Sequence, residues 1–203
     1  MKKMIGIAGM MVLMFAFTAC GSGEKQTEIS AEYSEEITAE TGETEDSGDG
    51  KEAGPRTYQK DFGSYELPEG WVEAEKYSSE NQFFYVREGQ AEDERPDNIA
   101  VTTGKNRYGE SEHEQFRDAI MTQIMQQIDG EEGIELTGNG SYTKKDYVVY
   151  TFTVTETDPG VVTTQYYIVG DYKYCLVHET NFTGDSDVDR VAKHISDSFV
   201  WKE

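Results

Sequence analysis

Only 18 Lys and Arg stand against 40 Asp and Glu in this chain of 203 residues, and it has two cysteines, four prolines and three histidines. Each shortage excludes something. A net charge of −22, with no basic cluster after the first three positions, repels the phosphate backbone on which nucleic-acid affinity rests. Peripheral adsorption to anionic lipid is disfavoured for the same reason, and the acidity suits solubility, cation attraction or a basic partner. His113, His178 and His194 are scattered, and neither an HExxH nor a CxxC spacing occurs, so the zinc signatures are absent. There is no glycine-rich phosphate loop and no GxSxG elbow. No cofactor, metal or catalytic residue is therefore expected.

Long apolar runs are also scarce, and the exception is at the start. Met1-Lys2-Lys3 is followed by 14 residues, Met4–Phe17, that are all apolar or Gly, then by Thr18, Ala19 and Cys20. Charged start, apolar middle and small-residue end are the order of a cleaved export signal. The run is too short for a permanent helix, which needs about 20 residues. Phe17-Thr18-Ala19-Cys20 resembles the bacterial lipobox, with Phe17 where an aliphatic residue is usual. The resemblance implies that residues 1–19 are removed and that Cys20 is the lipidation site. Two or more acyl chains would then anchor the mature protein stably, where one would not. Lipidation leaves Cys175 without an intramolecular disulfide partner, so the exported domain must stand on its apolar core. Cys175 is expected to be a buried, inert thiol.

From Gly21 to Thr57 the sequence is Glu, Asp, Ser, Thr, Gly and Ala, with 11 acidic against 3 basic residues, and Ile29, Tyr33 and Ile37 as its only larger apolar side chains. Such composition cannot bury enough surface to offset chain entropy, so residues 20–57 are expected to be a lipidated, disordered acidic tether. Ile29, Tyr33 and Ile37 could also form one face of a transient helix. As a coil the tether reaches about 35 Å. That length suits a Gram-positive wall, and a lipid-anchored position on the extracytoplasmic side of the cell membrane is expected.

Residues 58–203 have the size of one domain with its own core. Strands are expected at 61–67, 81–87 and 98–103. A capping box of Ser111 and Glu114 opens a helix in which Phe116, Ile120, Ile124 and Ile128 recur at four-residue spacing. Four strands follow as a meander: 134–143, 147–155, 161–169 and 172–180, the last two joined by a Gly170-Asp171 turn. Pairing Val169 with Tyr172 and Thr155 with Val161 puts Val148, Tyr150, Phe152, Val154, Val162, Tyr166, Ile168, Cys175 and Val177 beneath the 112–129 helix. The opposite face then carries Tyr147, Val149, Leu176 and the set Gln165, Tyr167, Tyr172, Tyr174 and His178. A closing helix, about 186–199, turns Val188, Val191, Ala192, Ile195 and Phe199 inward. The fold class is α+β: an antiparallel sheet, with three short N-terminal strands and a four-strand meander, packed by two helices.

This order of elements resembles the PsbP-like fold, an α/β/α sandwich. Leu67-Pro68-Glu69-Gly70-Trp71 is similar to the opening of its bacterial members, and Gln165–Val169 with Gly170-Asp171-Tyr172 is similar to their penultimate hairpin. These motifs are structural, and the resemblance implies a non-catalytic accessory role without transferring any site residue. Asp185-Ser186-Asp187-Val188-Asp189 imitates half of a calcium loop, but Arg190 and Ser196 stand where Gly and Glu are required. Helix N-terminal acids account for the run better.

Two function classes follow. One is a binding or assembly module for a protein, glycan or small molecule, its candidate partner face being Gln165, Tyr167, Tyr172, Tyr174 and His178. The other is a cell-surface hydrolase using paired carboxylates.

Overall fold

The computed structural model describes residues 54–203, together with the backbone of Glu32 and Tyr33. The export signal, Cys20 and, apart from Glu32 and Tyr33, the tether up to residue 53 lie outside the described residues, whereas Arg56 and Thr57, expected at the end of the disordered tether, pair with Leu67 and Glu66 in a strand. In chain order the elements are β1 (Glu32–Tyr33), β2 (Arg56–Gln59), β3 (Gly63–Leu67), β4 (Trp71–Glu73), β5 (Gln82–Arg87) and β6 (Asn98–Lys105). A short 3-10 turn (Glu110–Glu112) then leads into α1 (His113–Ile128). β7 (Ile134–Tyr142), β8 (Val148–Glu156), β9 (Val162–Gly170), β10 (Lys173–Asn181), α2 (Ser186–Ser198) and β11 (Val200–Trp201) complete the chain. The main sheet has the order β1-β7-β8-β9-β10-β6-β5-β4, and a small second sheet has the order β11-β3-β2. The α+β class holds, with one helix on each face of the main sheet. β2, β4 and β11 are two to four residues long, too short for an alternation pattern to be seen in sequence.

The helices divide the interior into two layers. Phe116, Ile120 and Ile124 of α1 pack on Tyr150, Phe152, Tyr167, Val169, Tyr174 and Leu176. On the other face Val188, Val191, Ala192 and Ile195 of α2 pack on Val149, Ile168, Cys175 and Val177, with Tyr65 and Leu67 of β3 closing the side. Burying each such aliphatic or aromatic side chain contributes about 1.5–3 kcal/mol. β9 and β10 therefore face two layers at once, and they carry apolar residues on both sides. Cys175 is buried, and its thiol is pushed up by that burial.

The expected faces need one correction. β8 presents Val148, Tyr150, Phe152 and Val154 to α1, as the alternation implied. β9 and β10 are reversed. Thr155 pairs with Val162 rather than Val161, because Glu156 N–H bonds to the Val161 carbonyl and closes the loop on residues 157–160. A register shift of one residue turns every side chain to the other face. Ile168, Cys175 and Val177 thus lie under α2, and Tyr167 and Tyr174 lie under α1. The other expected pairing shifts by two, with Val169 opposite Tyr174 rather than Tyr172, and a shift of two leaves the faces unchanged. The turn of that hairpin is accordingly Asp171-Tyr172, one residue later than expected.

The start of α1 differs too. Ser111 lies inside the 3-10 turn, and it is Glu112 whose carboxylate accepts the Gly109 N–H, at 3.0 Å. The turn is drawn towards the β9–β10 hairpin, where Asp171 accepts the Glu110 N–H at 3.3 Å. α2 is capped by Asp185, which accepts the Asp187 N–H at 2.9 Å.

Gly63 shows how tightly the small sheet is joined. A Cβ there would lie 2.4 Å from the Val200 carbonyl oxygen, opposite which β11 pairs Val200 with Ser64 and Trp201 with Gly63. Gly63→Ala should detach the closing strand and cost about 1–3 kcal/mol, read as a lowered urea midpoint. An unchanged midpoint would show that β11 contributes nothing to stability.

Candidate functional site

Gln165, Tyr167, Tyr172, Tyr174 and His178 do not form one open face. Gln165, Tyr167 and Tyr174 are buried beneath α1. The Tyr167 hydroxyl donates to Gln165 Oε1 at 3.0 Å, so the polar tips satisfy each other inside the core. Phe116 meets the Tyr167 and Tyr174 rings at centroid distances of 5.9 and 5.5 Å. The Tyr174 ring lies across Gly104, where a Cβ would come within 2.4 Å of it. These tyrosines are core because the register of β9 turned them towards α1. His178, opposite Gln165 in the ladder, is mostly enclosed, and burial pushes its imidazole down to about 4.

Tyr172 alone of the five is exposed, at 56 %. It occupies the hairpin turn with φ of 55°, a left-handed conformation that costs an ordinary L-residue about 1–2 kcal/mol. The backbone on both sides is held: Tyr172 N–H donates to the Tyr108 carbonyl at 3.1 Å, and its own carbonyl accepts from Asn106 N–H at 3.0 Å. The 106–108 segment is stiffened in turn by Asn106, whose Oδ1 accepts the Tyr108 N–H at 2.7 Å. The Arg107 guanidinium lies over the Tyr108 ring at 5.0 Å and donates to its hydroxyl at 2.9 Å. Lys173, directly across the ladder from Lys105, lies over the Trp201 ring at 4.4 Å. This end of the domain thus gathers aromatic and cationic side chains together with the Glu112 and Asp171 carboxylates. Asn106, Arg107 and Tyr108 were not singled out in the sequence, since no local pattern links a loop to a hairpin about 65 residues further on.

A second group of polar residues lies under the start of α2. Glu179 is completely buried on the α2 side of β10, and neither carboxylate oxygen has a hydrogen-bond partner among the described residues. Burial first, then the nearby Asp189 and Asp97 charges, push its carboxyl up to about 9. Around it the acids are engaged. Asp97 accepts the Phe182 and Thr183 N–H groups at 2.7 and 3.1 Å, and Asp189 accepts from Asn181 at 3.2 Å. Asp187 takes Trp71 Nε1 at 3.2 Å and pairs with Arg87 at 2.9 Å and with Arg190. The 185–189 run therefore anchors α2, and no group of three His, Cys, Asp or Glu among the described residues is placed to hold a metal. His113 Nδ1 lies 2.7 Å from the Tyr150 hydroxyl, and His194 lies 3.3 Å from Glu66.

Glu179 and His178 bias stability in opposite directions. The folded state keeps Glu179 protonated, so stability falls as pH rises from its unfolded value near 4.5 and levels off through about 9. It keeps His178 neutral, so stability falls as pH drops from 6.5 towards about 4. The two slopes offset each other between 4.5 and 6.5. Glu179→Gln should flatten the alkaline limb and raise Tm at pH 8, about 2–4 °C for each kcal/mol gained. His178→Gln should remove the acidic limb. Parallel pH–Tm curves for wild type and both variants would show that neither group titrates on folding.

No protein-family model and no curated protein matches the chain. Solved structures do. It is similar to the solution structure of cyanobacterial PsbP (CyanoP) from Synechocystis sp. PCC 6803, at 11 % identity and a TM-score of 0.48, covering 78 % of this chain and 98 % of that one. It is also similar to a crystal structure from Bacteroides thetaiotaomicron VPI-5482, at 12 % identity and a TM-score of 0.38, covering 70 % of this chain and 45 % of that one.

Proposed function

We propose that the protein is an extracytoplasmic lipoprotein, anchored through Cys20, whose domain is a non-catalytic binding or assembly module. Its contact point is the β9–β10 turn, and its partner is a protein, glycan or small molecule. Tyr172 carries this reading. A large aromatic side chain stands exposed at a backbone position that glycine would occupy without strain. Strain retained at an exposed aromatic residue points to recognition, and tyrosine offers wide contact area with few rotatable bonds. The hydrogen bonds from the 106–108 segment hold the turn rigid, so little order has to be gained on binding.

The hydrolase alternative needs an acid with a raised pKa that substrate can reach. Glu179 has the raised pKa, but it is buried without exposure beneath α2, which supports the non-catalytic reading. The anchor rests on the lipobox at Phe17–Cys20. No helix among the described residues is long and apolar enough to cross a membrane.

Tyr172→Gly should raise stability by about 1 kcal/mol. A photo-reactive residue at 172 in the anchored protein should give cross-links that one at Tyr77, another exposed tyrosine, does not. Identical cross-links from both positions would remove the turn as a site. Cys20→Ala should release the protein to the medium or leave an uncleaved precursor; a mature-sized protein still in the detergent phase would rule out the anchor.

A further inference from the structure

β7 is a nine-residue strand at one side of the main sheet. β8 covers one of its edges along the full length. On the other edge, among the described residues, only Glu32 and Tyr33 pair with it, in parallel, opposite Thr137 and Gly138. A strand edge of this length, left open by the other described residues, is a template for another strand, and folded proteins cover or interrupt such edges.

Continuing that register in both directions sets Ile29 abreast of Ile134 and Ile37 abreast of Tyr142, so nine tether residues match the nine of β7. The sequence between them is Ile29-Ser30-Ala31-Glu32-Tyr33-Ser34-Glu35-Glu36-Ile37. Its odd positions are apolar except for Glu35, and its even positions are all polar. This is the two-residue period of a strand with one covered face. Residues abreast in a parallel pair share a face, so the odd positions fall beside Ile134, Leu136, Gly138, Gly140 and Tyr142. Leu136 packs into the α1 layer, which makes this the covered side as far as Gly140, with Tyr142 exposed at the end of the strand. The even positions fall beside Glu135, Thr137, Asn139 and Ser141, of which the first three are exposed.

The exceptional residue also has a match. Glu35 falls abreast of Gly140, whose other neighbour in the sheet is Tyr150. Arg117 lies 5.8 Å from the Tyr150 ring centroid, and His113 reaches its hydroxyl. Arg117 pairs with Asp118 at 2.8 Å, and a strand in this register would bring the one carboxylate of its odd positions to the α1 side of the sheet, where that pair lies.

We propose that the edge of β7 is the docking site of the chain's own residues 29–37, which extend β1 into a full parallel strand. Docked, only the eight residues between Cys20 and Ile29 separate the first residue of the mature chain from the sheet, about 30 Å at full extension. The tether then has two lengths: a short one with the β7 edge covered, and a long one with the edge open to another strand. This holds whether or not the β9–β10 turn binds a partner.

The test is amide hydrogen exchange on the mature chain from residue 20, made without lipid by Cys20→Ala. Amides of 30–37 should exchange about tenfold or more slowly compared with a free peptide of residues 21–53. Tyr33→Pro, which cannot donate to a ladder, should return them to peptide rates and speed the outward amides of β7. Ile29→Ser with Ile37→Ser should do the same without proline. Peptide-like rates in the intact chain, or protection that survives both variants, would overturn the proposal. Protection that grows with protein concentration would also overturn it, because the added strand would then come from a second copy.

Discussion

The pairing of β8 with β9 decides what every other part of this domain can be. Its register is set by one hydrogen-bonded turn, Glu156 N–H to the Val161 carbonyl around residues 157–160. From that turn it follows that Tyr167 and Tyr174 meet α1, and that Ile168, Cys175 and Val177 meet α2. Side-chain direction alternates along a strand, so a single-residue slip would exchange the two layers. Tyr167 would then have to fit beside Val191 and Ala192, and Cys175 beside Phe116. Neither exchange conserves volume, which is the condition under which cores tolerate change.

Because the central strands are covered twice, their polar residues must be satisfied in place or kept neutral. Tyr167 and Gln165 satisfy each other. His178 and Glu179 are successive residues on opposite faces of β10, and each is held in its uncharged form by burial. An uncharged carboxyl at neutral pH has a catalytic precedent in kind, but here α2 and the sheet enclose it. Polarity in the interior thus belongs to the architecture of the sandwich. What the domain offers to solvent is concentrated at its turns and its strand edge.

Those two features differ in character. The β9–β10 turn is rigid, since three backbone or side-chain hydrogen bonds join it to the 106–110 segment. Its exposed tyrosine is displayed at fixed position. The β7 edge is a backbone surface, whose specificity comes from the alternation of side chains in whatever strand pairs with it. The contact point proposed at the turn and the docking proposed at the strand edge do not depend on each other.

Much of the element order could be read without coordinates. Four-residue spacing from Phe116 to Ile128 and β-branched runs between turn signals are local patterns, and each is dictated by the geometry of a single element. The α+β class follows from their sequence along the chain. What local pattern could not supply was the count of residues in the 157–160 loop. Five residues or four are equally compatible with Asp158-Pro159-Gly160, yet the choice fixes which face holds the tyrosines. Burial of Tyr167 and Tyr174, the neutral state of Glu179, and the joining of Asn106–Tyr108 to Tyr172 all depend on contacts between segments distant in sequence. Only the tertiary structure decided those, because register across a sheet is set by the turn and the packed layers together, and neither is encoded in one strand.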